Sequence, residues 1–162
     1  MTAPDLDIAF DTRAAAHEAL RAIAADQGTS LCCFSADFRA WPFDESAFVR
    51  QLEQWALRDA KHPEALRFLA IDWSQVRTRF PRFAAFRRDF AHQVACRQIS
   101  EVRARGLVEM AAAPTSAVYA HTATWMSGES VQSASRLHAL TLRFEEAWEQ
   151  ATPAFPSAIL GL

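Results

Sequence analysis

Lysine is nearly absent from this chain of 162 residues: Lys61 stands alone beside 16 arginines. Chemistry that needs a set of lysines is therefore excluded at the outset. Glycine is scarce as well. Gly28, Gly106, Gly128 and Gly161 lie too far apart to build the glycine-rich loop that cradles phosphates in nucleotide-binding folds, and Ser127–Gly128 lacks the preceding glycine of a nucleophile elbow. No stretch approaches the ~18 consecutive apolar residues of a membrane-spanning helix. The first ten residues carry Asp5 and Asp7 where a signal peptide has a basic start and ~7–15 apolar residues. A cytoplasmic protein without membrane contact is the expectation. Cys32, Cys33 and Cys96 form an odd set without metal-ligand spacing, which reads as reduced thiols. Cys32 and Cys33 are neighbours, so on a strand they point to opposite faces and cannot jointly grip a metal. Net charge is small too: 17 basic against 19 acidic residues give −2, so the whole molecule is no electrostatic partner for nucleic acid or an anionic membrane.

What is present is an ordinary globular composition, with 51% hydrophobic and 22% charged residues, enough for one compact domain. The expected boundaries are a tail over 1–9, a domain over 10–153 and a second tail over 154–162. Asp11 is a candidate N-cap for a helix carrying Ala16, Leu20 and Ile23, which Gly28 would end. Ser30 to Ala36 is a short apolar run, the pattern of a strand covered on both faces. Asp44 is a candidate cap for a second helix with Phe48, Leu52 and Trp55 on one stripe, closed by His62 and Pro63. Leu66 to Ile71 reads as a second buried strand, so strand, helix and strand make a parallel crossover unit. Pro81 divides the following helical stretch into a short helix and a second one burying Phe83, Phe86 and Phe90. Short runs over Val94–Glu101, Leu107–Ala113 and Ala117–Thr122 follow, the last two predicting an antiparallel hairpin. A final helix is expected over Glu129–Ala151, with Ala134, Leu137, Leu140, Phe144, Ala147 and Ala151 facing the core and Trp148 at its border. The order α-β-α-β-α-β-β-β-α predicts an α/β fold, a mixed sheet with helices on both faces.

This order, with an opening segment FDTRAAAHEAL and a closing segment FEEAWEQATPAF, resembles one half of the phospholipase D-like superfamily, in a degenerate bacterial single-half branch without assigned activity. The resemblance implies chemistry built on H-x-K-x4-D. In that family a histidine attacks the phosphodiester, a second copy of the motif supplies the general acid, and lysines hold phosphate oxygens, which meets the need for a nucleophile and fixed positive charge. In this chain the corresponding hairpin reads VEMAAAPTS, so the histidine position falls on Val108, the lysine position on Met110 and the acidic position on Thr115. A shift by one gives Glu109, Ala111 and Ser116, which restores nothing. Phospholipase or nuclease activity of this type is therefore expected to be absent. The superfamily packs two halves around a seam, which implies a homodimer here.

The arginines are unevenly placed. Arg77, Arg79, Arg82, Arg87, Arg88, Arg97, Arg103 and Arg105 are opposed only by Asp89 and Glu101, so this stretch carries +6 and the remainder −8. Guanidinium forks match phosphate oxygens, and a small anionic ligand held by Arg82 and Arg97 with His92 nearby is one reading. A solvated face paired with acidic residues is the other. Arg97 and Arg67, on otherwise apolar strands, require partners; for Arg67 those are expected to be Asp37 or Asp72. These two aspartates end successive parallel strands, where open sheets place ligands, and could hold a divalent metal in a divergent phosphotransfer enzyme or hydrolase. They could equally cap the turns that follow. None of the histidines, His17, His62, His92, His121 and His138, has compact ligand spacing. No cofactor is expected, nucleic acid has little support, and the leading expectation is a non-catalytic binding or interaction module.

Overall fold

The five residues Leu31–Ser35 are buried at every position, as a central strand covered on both faces requires. In the computed structural model, which describes residues 7–26, 28–58 and 64–155, this strand is the centre of the molecule. The described elements are β1 (Ile8–Phe10), α1 (Arg13–Ala24), β2 (Leu31–Ser35), α2 (Ser46–Arg58), β3 (Leu66–Ala70), α3 (Ser74–Arg79), α4 (Pro81–Asp89), β4 (Val94–Gln98), β5 (Glu109–Ala112), β6 (Ala117–Ala120), β7 (Gly128–Val131), α5 (Ala134–Glu149) and β8 (Thr152–Pro153). The strands form one sheet in the order β1-β7-β6-β5-β2-β3-β4-β8. Strands β2, β3 and β4 run parallel, and the other neighbours are antiparallel. None of the described helices is long and apolar enough to cross a membrane.

Alternation along the strands divides the core in two. On one face Cys33, Phe68 and Cys96 pack with α1 to α4, around Phe38, Phe43, Phe83 and Phe86. On the other Cys32, Phe34, Leu69 and Met110 pack under Leu137, Phe144, Ala147 and Trp148 of α5. The adjacent cysteines do point apart. All three thiols are free and buried, and loss of hydration pushes those of Cys32 and Cys96 up to about 12, so they behave as small apolar side chains.

Several elements differ from the expected pattern for identifiable reasons. The cap of α1 is Thr12, not Asp11: its side chain accepts the Ala15 N–H at 3.1 Å. That helix ends at Ala24, well before Gly28. Helix α2 begins at Ser46, two residues after Asp44; its proposed closure at His62 and Pro63 lies outside the described residues. The final helix begins at Ala134, which is exposed, because Glu129 belongs to β7. Strand β7 carries only Gly128 and Val131 as buried positions, so no apolar alternation announces it. Gly128 is needed there, because a Cβ would collide with the Tyr119 carbonyl and the Phe10 ring. Strands β1 and β8 are short edge additions that pair with β7 and β4. Beyond β8, the Ala154 N–H donates to the Cys96 carbonyl at 3.0 Å and Phe155 packs against Trp73 and Phe83.

Candidate anion-binding site

The carboxyl end of β2 feeds a loop that lines a cleft of about 480 Å³, formed by Arg13, Asp37, Arg39, Ala40, Arg79, Ala123 and Thr124. Arg13 is the first residue of α1 and Arg79 the last of α3, while Asp37, Arg39 and Ala40 follow β2. Ala123 and Thr124 belong to the loop joining β6 and β7. Arg13 grips that loop, donating from Nε and Nη2 to the Thr124 carbonyl at 3.3 and 3.1 Å. Arg39 and Arg79 are exposed and make no side-chain hydrogen bond or ion pair with any described residue. The sole carboxylate of the lining is Asp37, whose Oδ1 accepts the Arg39 backbone N–H at 3.0 Å. Three guanidinium groups face one carboxylate, so the cleft is electropositive.

Behind this lining the chain is apolar and tightly held. Phe38, Trp41 and Trp125 are buried and in ring contact, with Trp41 edge-on to both others. Phe38 and Trp125 adopt left-handed backbone with φ of 57° and 56°, a conformation that costs energy for large side chains and persists where surroundings impose it. The Phe38 N–H is tied to Ser35 Oγ at 2.9 Å. The Trp125 indole donates to Glu109 Oε1 at 2.9 Å, and the Ala36 N–H donates to Glu109 Oε2 at 2.6 Å. Burial raises the Glu109 carboxyl above its ordinary range, against the hydrogen bonds from Ser35, Ala36 and Trp125 that favour its charge.

The strand-end aspartates serve the turns. Asp37 and Asp72 each accept a backbone N–H two residues on, from Arg39 and Ser74, and the Ser74 bond holds the Asp72 carboxyl below the usual carboxylate range. Among the described residues no group of three or more His, Cys, Asp or Glu side chains is placed to hold a metal. Arg67 does not pair with Asp37 or Asp72. It forms a bidentate pair with Glu145 of α5 at 2.8 and 2.5 Å and lies over the Phe144 and Trp148 rings. On the same face Arg97 stacks on Trp148 at 4.4 Å, donates to the Trp148 carbonyl at 2.8 Å and approaches Glu64 at 3.5 Å. Arg82 lies on the opposite side of the sheet, in a groove between α2 and α4 shared with Arg50, Glu53 and Asp89. His92 is exposed in the turn after α4. The structure therefore separates Arg82 from Arg97 and assembles Arg13, Arg39 and Arg79, of which the sequence pattern marks only Arg79, as one arginine of the basic stretch. Their signal was positional: Arg39 follows a strand-end aspartate by two residues, at the end of the sheet where ligands bind.

Residues 12–156 match the family described as a domain of unknown function, DUF7931. The chain belongs to that family. No curated protein matches the DUF7931 chain. Among solved structures it is similar to TrmBL2, an archaeal chromatin protein with a novel mode of DNA binding, at a TM-score of 0.65 and 11% identity. That match covers 95% of this chain, which spans 56% of the TrmBL2 chain. It is also similar to Nuc from Salmonella typhimurium, a phospholipase D family member, at a TM-score of 0.53 and 7% identity, covering 92% of this chain and 97% of Nuc. These likenesses establish a phospholipase D-like fold for the DUF7931 chain. The positions matched to the catalytic motif do not converge. Val108 and Met110 pack on the α5 side, whereas Thr115 is exposed in the turn at the far end of β5. Glu109, between them, points to the other face and into the network behind the cleft.

Proposed function

We propose that this chain is a non-catalytic binding module on a degenerate, single-half phospholipase D-like scaffold, and that it holds a phosphate-bearing ligand in the Arg13–Arg39–Arg79 cleft. The observation that carries the reading is the state of Arg39 and Arg79: two guanidinium groups face one cleft with no ion-pair partner among the described residues. Unspent guanidinium forks at the carboxyl end of a sheet suit phosphate oxygens. The apolar residues at Val108 and Met110 remove both the nucleophile and the lysine that hydrolysis would require. Three buried free thiols fit a cytoplasmic setting. Pairing of two copies around a two-fold axis, as the single-half reading implies, predicts a dimer by light scattering at micromolar concentration.

The test is calorimetric titration with inorganic pyrophosphate at low salt. Saturable binding that weakens steeply with salt, and falls at least tenfold in Arg39→Glu/Arg79→Glu, supports the reading; binding unaffected by that double substitution overturns it. A phosphodiester substrate such as bis(p-nitrophenyl) phosphate should remain uncleaved with or without Mg²⁺. Hydrolysis abolished by changing Asp37 or Asp72 would instead favour the enzyme alternative.

A further inference from the structure

The wall of the cleft formed by Ala123 and Thr124 is held at two points of different kinds. From outside, Arg13 grips the Thr124 carbonyl. From inside, the next residue, Trp125, reaches its indole N–H to Glu109. Glu109 is only 6% exposed and accepts the Ala36 N–H and the Trp125 indole N–H, with the Ser35 hydroxyl favouring its charge. The two N–H groups can only donate. An ionised carboxylate satisfies both with charge-assisted bonds, whereas a carboxylic acid places a proton of its own among the donors and weakens at least one of them.

We propose that Glu109 is the positioning residue of this cleft and acts as a proton-operated latch: ionised, it fixes the 123–125 wall and the Ala36–Asp37 corner; protonated, it releases them and the cleft loses its grip on anions. This rests on the reading of the cleft as an anion site and adds its regulation. Geometry makes the latch specific. Ala36 precedes Asp37 on one side of the cleft, and Trp125 follows Thr124 on the other, so a single carboxylate ties the two sides together. Trp125 needs such a tie because it stands in left-handed backbone. Asp37 is the charged group acting on Glu109, and its field opposes ionisation. The opposing residue on β6 is Ala120, which brings no charge. His121 shares the loop with Trp125 but is exposed and lies edge-on to Tyr119. Burial carries the proton equilibrium of Glu109 above the ordinary carboxylate range, so the release begins at milder acidity than exposed carboxylates need.

The experiment follows the indole N–H resonance of Trp125, assigned with Trp125→Phe, in the full chain between pH 8 and 4.5, and measures inorganic sulfate affinity in parallel, since sulfate keeps its charge over that range. His121→Gln serves as background, removing the imidazole that shares the loop with Trp125. A one-step shift of the Trp125 indole above the ordinary carboxylate range is expected, with sulfate affinity falling about tenfold across the same step. In Glu109→Gln, whose amide faces the donors at every pH, both the shift and the step should vanish and affinity should stay at the low-pH level. A flat Trp125 resonance in the unsubstituted chain overturns the latch, and so does sulfate affinity that titrates identically in Glu109→Gln. An indole that titrates while sulfate binds at no pH refutes the anion site and with it the regulatory claim, leaving Glu109 as a structural carboxylate only.

Discussion

Arg67 and Arg97 on one side, Arg39 and Arg79 on the other, are the same side chain used in two ways. The first pair sits on the sheet face beneath α5, stacked on Phe144 or Trp148 and bonded to Glu145, Glu64 or a helix carbonyl. Their planar guanidinium groups and aliphatic stems fill apolar space while their charge is met locally. The second pair stands in loops and at a helix end around an open cleft, with no charge partner among the described residues. The same count of positive charge thus contributes to folding in one region and remains available to a ligand in the other. Density of arginine along the sequence does not separate the two roles; location relative to the strand ends does.

The comparison breaks most visibly at Arg67. Its side chain is 16% exposed and its partner Glu145 about half exposed, so Arg67→Ala should lower unfolding free energy by about 2–3 kcal/mol, read by chemical denaturation. Arg97→Ala should cost about 1–2 kcal/mol, since its carbonyl bond and ring stack are lost but its carboxylate contact is long. Acid sharpens the contrast. The Arg67 hydrogen bond holds the Glu145 carboxyl below its usual range, so this pair stabilises the fold above the ordinary carboxylate pKa and the contribution fades as pH falls through the lowered native value. In Arg67→Ala that part of the acid sensitivity should disappear from a pH series of melting temperatures. Arg39→Ala and Arg79→Ala should each leave stability within about 0.5 kcal/mol while reducing pyrophosphate affinity. Arg82→Ala should change neither quantity by a measurable amount. Loss of stability in the cleft variants, or loss of anion binding in Arg82→Ala alone, would erase the distinction.

Legibility in the sequence followed burial. Strand β2 announces itself as a nearly continuous apolar run and β3 as one interrupted only by Arg67, α2 by its Phe48–Leu52–Trp55 stripe, and the α3–α4 junction by Pro81 at the first position of α4. Strand β7 was hidden because half of it is polar and partly exposed, and β1 and β8 because two or three residues set no period. Asp37 was recognisable from its place at a strand end. The arginines around it were not, because Arg13, Arg39 and Arg79 are far apart in sequence and only the sheet topology brings them together. Glu109 was found only as a failed register of the catalytic motif. Its buried network depends on Trp125, 16 residues away, and no local pattern records such a contact.

The sheet closes at both borders with very little strand. Strand β1 contributes three residues, and β8 contributes two, one of them Pro153, which has no N–H to offer. A further strand laid along either border would gain only a few hydrogen bonds, too few to offset the ordering of its own backbone. Among the described residues neither border therefore offers much strand to a partner, and the proposed dimer would use helix faces or the loops at the strand ends, where a shared ligand would lie between the subunits.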